Sequence, residues 1–209
     1  RKGKQIRPLL VLLSAGLNGK INKSTYLAAT MIELLHTATL IHDDIVDNSY
    51  ERRNFFSINA LWKNKFAVLI GDYLLSRGLL LSLENNEYET LKIISNAVKE
   101  MSEGELLQLK NRNKIDISED DYYEISRKKT ASFFAACCAS GACSINKNNE
   151  QIIQKMWKIG ELIGIAFQIK DDLLDFEDSK IIGKSSKIDL KDKKITLPLI
   201  HTLEKCNSS

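Results

Sequence analysis

Apolar residues recur at intervals of three and four positions through most of this chain, which is the spacing of one face of an α-helix. Only two prolines occur, Pro8 and Pro198, so little in the sequence interrupts helix. The pattern predicts helices over residues 6–17, 24–47, 57–83, 87–112, 118–143, 149–177 and 195–205. Ser24 and Ser118 are the predicted N-caps. Long helices with short connections favour antiparallel neighbours in a bundle, so the predicted fold class is all-α.

One stretch departs from this pattern. Residues 178–194 are rich in Lys, Ser and Asp, a composition typical of a loop. We expect this loop to be mobile and to become ordered when a ligand binds.

The composition is that of a globular protein. A chain of 209 residues can bury a substantial core, and we predict a single domain over residues 1–209. Hydrophobic residues make up 44% of the chain and charged residues 27%. The formal net charge of +3 is too small, and the basic residues too scattered, to indicate a nucleic-acid partner.

No uninterrupted apolar stretch has the length of a membrane span, and the N-terminus lacks a signal-peptide pattern. We therefore expect a cytoplasmic protein with no stable membrane insertion. Four cysteines occur without a CxxC pair: Cys137, Cys138, Cys143 and Cys206. We predict that they are reduced, mostly buried residues. A zinc site is disfavoured because no histidine lies near Cys137, Cys138 and Cys143 in the sequence.

Two copies of one acidic motif stand far apart, Asp43-Asp44-Ile45-Val46-Asp47 and Asp171-Asp172-Leu173-Leu174-Asp175. On a helix, the first and fifth aspartates of each motif lie on one face and can present oxygens to a single point. Crowded carboxylates repel one another, whereas a bound Mg²⁺ lets all of them stay ionised. A lone motif of this kind is often only a charged helix end. The repetition and the apolar flanks favour a metal site, because buried charge must be paired or bound to metal.

Basic residues occur before, between and after the two motifs, and singly each is typical of a solvated surface. Guanidinium groups suit the oxygens of a diphosphate, and lysines add positive charge. Their grouping around two acidic motifs indicates a phosphorylated substrate. The candidates are Lys4, Arg7, Arg52, Arg53, Lys129, Lys184 and Lys194.

Six segments together resemble the trans-isoprenyl (polyprenyl) diphosphate synthases, in that family's order and over nearly the whole chain. They are GKQIRP, ELLHTATLIHDDIVDNSYERRN, GDYLLSRG, the pair Lys129-Thr130, FQIKDDLLD and GKSSKIDLKDKKITLP. The resemblance implies a homodimer whose subunit is a bundle of long, mostly antiparallel helices around a central apolar cavity. Both acidic motifs are expected at the mouth of that cavity. Family members run beyond this chain at both ends, so we expect an N-terminal helix and several C-terminal helices to be missing from it.

The implied reaction is the trans, head-to-tail (1'-4) condensation of isopentenyl diphosphate with an allylic diphosphate. By resemblance, three Mg²⁺ ions grip the allylic diphosphate through the two motifs. The main ligands are Asp43, Asp47 and Asp171, with Asp44, Asp172 and Asp175 in support. The departing proton goes to the released diphosphate, so no side-chain base is needed.

The resemblance also assigns the basic and polar residues. Isopentenyl diphosphate is held by Lys4, Arg7, His36 and Arg53. The charge that develops on the departing diphosphate is stabilised by Lys129, Lys184 and Arg52. Thr130 and Gln168 position the allylic cation, and Lys194 closes over the site. Water must be excluded, because it would quench the cation to an alcohol.

Product length in this family is measured against the helix that carries the first motif. The residues four and five before the first aspartate are Thr39 and Ala38, both small. Each further helical turn adds about 5.4 Å of path, and the next residues on that side, Leu35, Ile32 and Met31, include no aromatic. We therefore predict a long product of the quinone side-chain type. A short-chain farnesyl or geranylgeranyl diphosphate synthase is the alternative.

Three other classes of protein share features with this sequence. A di-iron bundle would use Glu33 and His36 as an ExxH pair, but His42 and His201 do not complete a second pair. A terpene cyclase has no reason to keep a second full acidic motif or the cations Lys4, Arg7 and Arg53. A non-catalytic subunit of a heteromeric synthase stays open, although such subunits commonly lose the acidic ligands that this chain keeps.

Overall fold

The computed structural model describes residues 5–46, 51–52, 55–56, 58–111, 118–181 and 196–207. Within them, side chains are described at residues 5–46, 64–111, 118–174 and 196–202. The helices are α1 (Ile6–Asn18), α2 (Lys23–Val46), α3 (Ile58–Glu84), α4 (Tyr88–Asn111), α5 (Glu119–Ser126), α6 (Ser132–Ile145), α7 (Glu150–Ile181) and α8 (Leu197–Asn207). A π-helical segment, Arg127–Ala131, joins α5 to α6. Two antiparallel two-residue strands, β1 (Glu51–Arg52) and β2 (Phe55–Phe56), are the one departure from helix in this list. The all-α prediction is confirmed.

Local capping explains where two of the helices begin. Ser118 accepts a hydrogen bond from the Asp121 backbone N–H, and the Asp121 carboxylate accepts one from the Ser118 backbone, which forms a capping box. The Ser118 prediction is therefore confirmed. The Ser24 prediction is wrong, because the Asn22 side chain accepts from the Thr25 backbone N–H at 3.1 Å and α2 already begins at Lys23.

The predicted helix over residues 118–143 is three elements in the structure, because the π-helical segment interrupts it. The loop predicted from residue 178 also begins too early, since α7 continues to Ile181. The rest of that loop, residues 182–194, lies outside the described residues.

The chain divides into two compact units, and the prediction of a single domain over residues 1–209 stays a prediction. The first unit comprises Arg1–Ile94 with Cys137–Met156, and the second comprises Ser95–Ala136 with Trp157–Ser209.

In the first unit, α2 packs against both α1 and α3. Buried residues recur along α2 at helical spacing, including Ala28, Ile32, Leu35 and Ala38. On α6, a Cβ at Gly141 would lie 2.3 Å from the Val11 carbonyl oxygen of α1, so only glycine permits this approach. The Ser14 hydroxyl donates to the Cys138 carbonyl at 2.5 Å and ties the same two helices together.

In the second unit, two glycines let α7 lie close to the segment that precedes and begins α6. A Cβ at Gly160 would lie 2.5 Å from the Phe134 carbonyl oxygen, and one at Gly164 would lie 2.5 Å from Ala131 Cα. The Phe134 and Phe167 rings pack beside these glycines with centroids 5.1 Å apart. This close packing fixes α7 against the residues that follow Thr130.

The three cysteines with described side chains, Cys137, Cys138 and Cys143, are buried free thiols, as predicted. Burial raises the pKa of all three thiols, that of Cys138 to about 11. They are therefore protonated at neutral pH and behave as small core residues. The side chain of Cys206 lies outside the described residues.

Within the described part of the chain, one helix meets the length and composition of a membrane span, although Asp72 and Arg77 interrupt its apolar sequence. It is the Asn64–Glu84 part of α3, whose most apolar 18-residue window has a mean hydropathy of 1.6. Of that window, 22% is buried. Core helices of soluble proteins meet the same criterion, so this feature alone is a weak indication of membrane contact.

Candidate active site

The first acidic motif lies in the last described turn of α2. Asp44 is buried, at 6% exposure, and Asp43 is half-buried. Asp47 lies outside the described residues.

His42, directly before this motif, is held by α3. Its Nε2 lies 3.3 Å from the Val68 carbonyl oxygen and 3.5 Å from Asp72 Oδ1. Because a carbonyl oxygen can only accept, His42 Nε2 donates in the first contact. A Cβ at Gly71 would lie 2.2 Å from the same nitrogen. The GDY segment of α3 therefore has a physical role that sequence reasoning missed, which is to leave space for His42 and bind it.

Two predicted isopentenyl diphosphate ligands, Arg7 and His36, are half-buried on α1 and α2. Burial raises the pKa of the Cys137 thiol, and the positive charge of Arg7 opposes that rise, which places Arg7 near Cys137. The His36 carbonyl oxygen accepts a hydrogen bond from the Thr39 hydroxyl at 2.9 Å.

The predicted chain-length residues also lie on α2. Leu35 and Ala38 are buried at 2% exposure each, and Thr39 is half-buried. A Cβ at Gly78 of α3 would contact Leu35 Cγ at 3.4 Å, so α3 packs directly on Leu35.

The Lys129-Thr130 pair lies in the π-helical segment, a local distortion that is frequent at functional sites. Lys129 Nζ lies 2.7 Å from Glu105 Oε1 and donates to Gln108 Oε1 at 2.7 Å, both on α4. A Cβ at Gly104 would lie 2.7 Å from the Lys129 backbone nitrogen, so glycine allows α4 to approach. The ammonium group is therefore held in place by a carboxylate and an amide.

The two basic residues before Lys129 form ion pairs of their own. Arg127 pairs with Glu124 at 3.0 Å and Glu100 at 3.2 Å, and Lys128 pairs with Glu103 at 3.2 Å. Hydrogen bonds from Arg127 lower the pKa of Glu124, and those from Lys128 lower the pKa of Glu103.

The second acidic motif is bound into a chain of hydrogen bonds. The Thr130 hydroxyl donates to Gln168 Oε1 at 2.7 Å, and Gln168 Nε2 donates to Asp172 Oδ1 at 2.8 Å. The Tyr122 hydroxyl donates to Asp172 Oδ2 at 2.5 Å. The structure thus brings together three predicted site residues, Thr130, Gln168 and Asp172. It adds Tyr122, which sequence reasoning missed because no local pattern marks a contact across 50 residues.

Neighbouring aspartates of this motif have opposite environments. Asp172 is 8% exposed, whereas Asp171 is exposed. Burial raises the pKa of Tyr122, and the hydrogen bond to Asp172 raises it further, so the phenol stays protonated and donates.

The remaining predicted site residues cannot be assigned contacts. Lys4, Arg53, Lys184 and Lys194 lie outside the described residues. Arg52 lies in β1 and Asp175 in α7, but their side chains also lie outside the described part of the chain.

The donor set fits magnesium by its chemistry. Among the described residues no group of three or more His, Cys, Asp or Glu side chains could hold a metal ion. Mg²⁺ does not require one, because it usually keeps several waters and binds one or two carboxylates together with substrate phosphates. Asp171, an exposed carboxylate beside an anchored one, matches that mode of binding.

The fold and these motifs define a helical protein with two aspartate-rich helix segments and a lysine-threonine pair. The sequence model of the polyprenyl synthetase family matches residues 1–209, and the chain belongs to this family. The predicted family is therefore confirmed.

Similar proteins make prenyl diphosphates of different lengths. The chain is 38% identical to octaprenyl diphosphate synthase of Escherichia coli (strain K12), over 96% of this chain and 62% of that protein. It is 35% identical to geranylgeranyl diphosphate synthase of Saccharolobus solfataricus, over 96% of this chain and 63% of that protein.

A solved structure is equally similar. The polyprenyl synthase from Caulobacter crescentus CB15, crystallised with calcium and isoprenyl diphosphate, superimposes with a TM-score of 0.88 at 35% identity, covering 98% of this chain and 62% of that one. The chain thus spans about 62% of the length of such relatives.

Proposed function

We propose that this protein is a Mg²⁺-dependent prenyltransferase that condenses isopentenyl diphosphate with an allylic diphosphate to give a trans-polyprenyl diphosphate. The observation that carries the proposal is the hydrogen-bonded chain from Thr130 through Gln168 to Asp172. It brings together the lysine-threonine pair and the second acidic motif, two of the motifs that the resemblance assigns to one site. Membership of the polyprenyl synthetase family supports the same reaction.

The residues around this chain suit a diphosphate leaving group. Lys129 offers a fixed positive charge, because Glu105 and Gln108 hold its ammonium group. Asp171 offers an exposed carboxylate on α7. Mg²⁺ ions held by aspartates of both acidic motifs would supply Lewis-acid stabilisation of the charge that builds on the diphosphate.

In the proposed reaction the allylic carbon–oxygen bond breaks, and its electron pair leaves with the diphosphate. The double bond of isopentenyl diphosphate attacks the allylic carbon and forms the new carbon–carbon bond. A proton is then lost to the released diphosphate. Thr130 and Gln168 position the cation, and Lys4, Arg7, His36 and Arg53 hold isopentenyl diphosphate. Lys184 and Arg52 add charge stabilisation, and Lys194 closes the site.

We propose a long product. Similar relatives include both an octaprenyl and a geranylgeranyl synthase, so identity does not decide the length. The argument rests on Ala38, Thr39 and Leu35, which place no aromatic ring on α2 in front of the first motif. A cytoplasmic homodimer stays a prediction.

The test is incorporation of labelled isopentenyl diphosphate, with farnesyl diphosphate as primer and Mg²⁺ added or chelated. We expect incorporation that requires Mg²⁺ and is lost in Asp171→Asn. Asp120→Asn, which changes an exposed aspartate of α5, is the matched control and should retain it. No incorporation by a folded sample would contradict the proposal and favour a non-catalytic subunit.

A further inference from the structure

We infer that Tyr122 is a positioning residue, which fixes Asp172 of the second acidic motif and thereby presents Asp171 to a metal-bound diphosphate. The inference rests on the proposed function, because it concerns how the metal ligand of that site is aimed. It also gives the two adjacent aspartates different roles, Asp172 as an anchor and Asp171 as a ligand.

The contacts of Asp172 carry the first step. Each of its two carboxylate oxygens accepts a hydrogen bond from protein, Oδ2 from Tyr122 at 2.5 Å and Oδ1 from Gln168 at 2.8 Å. The side chain is also 8% exposed. A carboxylate in this setting is oriented by protein donors, as the outer partners of metal ligands commonly are.

Helix geometry carries the second step. Consecutive residues on an α-helix are separated by about 100° around the axis, since 3.6 residues make one turn. Packing at Gly160 and Gly164 sets the rotation of α7, and the two hydrogen bonds to Asp172 hold its later turns in that rotation. Asp171 then points to a different side, where the structure has it exposed.

Tyr122 is suited to this role by its own placement. It is buried on α5, at 6% exposure, and its ring packs edge-on against Tyr123 with centroids 5.6 Å apart. The capping box at Ser118 fixes the start of the same helix one turn earlier. The hydroxyl therefore reaches α7 from a rigid element.

Gln168 links this anchor to the lysine-threonine pair. Its amide oxygen accepts from Thr130 and its amide nitrogen donates to Asp172, which is the orientation that a carboxylate partner demands. Tyr122 and Thr130 thus reach the same carboxylate, one directly and one through Gln168.

The experiment compares Tyr122→Phe with Tyr123→Phe. Both substitutions remove only a hydroxyl, but Tyr123 is exposed. Binding of Mg²⁺ with inorganic pyrophosphate is measured by titration calorimetry, and thermal unfolding is followed in parallel. Tyr122→Phe should weaken this binding about 10-fold or more and raise the Mg²⁺ concentration that pyrophosphate binding needs. Tyr123→Phe should bind as tightly as the unchanged protein.

Asp172→Asn and the double variant complete the test. If Tyr122 acts through Asp172, adding Tyr122→Phe to Asp172→Asn weakens binding no further. If Tyr122→Phe lowers the unfolding temperature but leaves binding unchanged, or if the two losses of binding simply add, the inference is wrong.

Should Tyr122→Phe fail to fold, Asp172→Asn is compared with Asp171→Asn, and a larger loss of binding for Asp172→Asn would overturn the inference. If Asp171→Asn binds normally, the proposed metal site fails and the inference with it, which identifies the function as the error.

Discussion

The hydroxyl of Thr130 donates to the side-chain oxygen of Gln168 at 2.7 Å, although 38 residues separate them in sequence. This bond joins the π-helical segment to α7. Both residues are half-buried, so the bond is partly shielded from water. It orients the Gln168 amide toward Asp172, and the second acidic motif therefore depends on a residue far from it in the chain.

Thr130→Val tests this dependence. The substitution keeps the side-chain shape and removes the donor, so we expect a stability loss of about 0.5–1.5 kcal/mol together with slower prenyl transfer. Unfolding in denaturant and the rate of isopentenyl diphosphate incorporation are the measurements. Thr30→Val is the control, because that hydroxyl is exposed and bonds only within its own helix, to the Tyr26 carbonyl. Equal loss in both variants would contradict the role of Thr130.

Gly71→Ala tests the placement of His42. The new Cβ would lie 2.2 Å from His42 Nε2. A ring at the end of a side chain can rotate, so we expect His42 to lose its contacts with Val68 and Asp72. The bond is worth about 0.5–1.5 kcal/mol, which the better helix propensity of alanine offsets in part at Gly71 as well. The neighbouring Asp43 should bind Mg²⁺ with pyrophosphate more weakly.

The control is Gly16→Ala in α1, where nothing lies within 4 Å of the added carbon. That variant should gain about 0.5–1 kcal/mol from the better helix propensity of alanine. Denaturant unfolding and calorimetry separate the two outcomes. Unchanged binding in Gly71→Ala would show that His42 does not support the first motif.

Local and repeated signals were predictable from the sequence. The helix class, the Ser118 cap and both acidic motifs follow from spacing and residue chemistry within a few positions. The contacts that orient these motifs were not predictable. Tyr122 contacts Asp172 across 50 residues of sequence, and Gly71 of α3 leaves space for His42 of α2. Neither contact leaves a local pattern in the sequence. The π-helical turn at Lys129 lies where α4 approaches at Gly104, a contact that no local pattern marks either.

Lys129→Met is predicted to slow prenyl transfer by about 100-fold to 1,000-fold, the usual cost of removing one group that stabilises developing charge. Lys128→Met is the matched control, since Lys128 is adjacent and also ion-paired, but to Glu103 and Glu124, and the resemblance gives it no role. Because these two carboxylates are 42% and 44% exposed, the pairs contribute under about 1 kcal/mol, and turnover should persist. Single-turnover kinetics with saturating substrates distinguish the two lysines. Similar rates in both variants would remove Lys129 from the proposed chemistry.

Thr39→Phe is predicted to shorten the product. Thr39 is half-buried on α2 one turn before the first motif, and a phenyl ring there would obstruct a growing prenyl chain. Thr30→Phe places the same ring on an exposed position of that helix and should leave the product unchanged. Product chromatography after dephosphorylation is the measurement. If the unchanged protein already stops at farnesyl or geranylgeranyl length, the proposal of a long product is wrong.

The ion pair between Arg127 and Glu124 predicts a pH effect on stability. Arg127 donates to both carboxylate oxygens of Glu124 at 3.0 Å and lowers its pKa below the usual 4.5. A lowered folded-state pKa stabilises the protein above the unfolded value, and this contribution is lost as pH falls through the folded value. Because Glu124 is 44% exposed, solvent screening limits the contribution to under about 1 kcal/mol.

Glu124→Gln should therefore lower the free energy of unfolding at neutral pH and flatten its decline below about pH 4.5. The decline is measured by denaturant unfolding at a series of pH values. High salt should reduce the difference between Glu124→Gln and the unchanged protein, since it screens exposed pairs. An identical decline in Glu124→Gln and the unchanged protein would show that this ion pair does not contribute to stability.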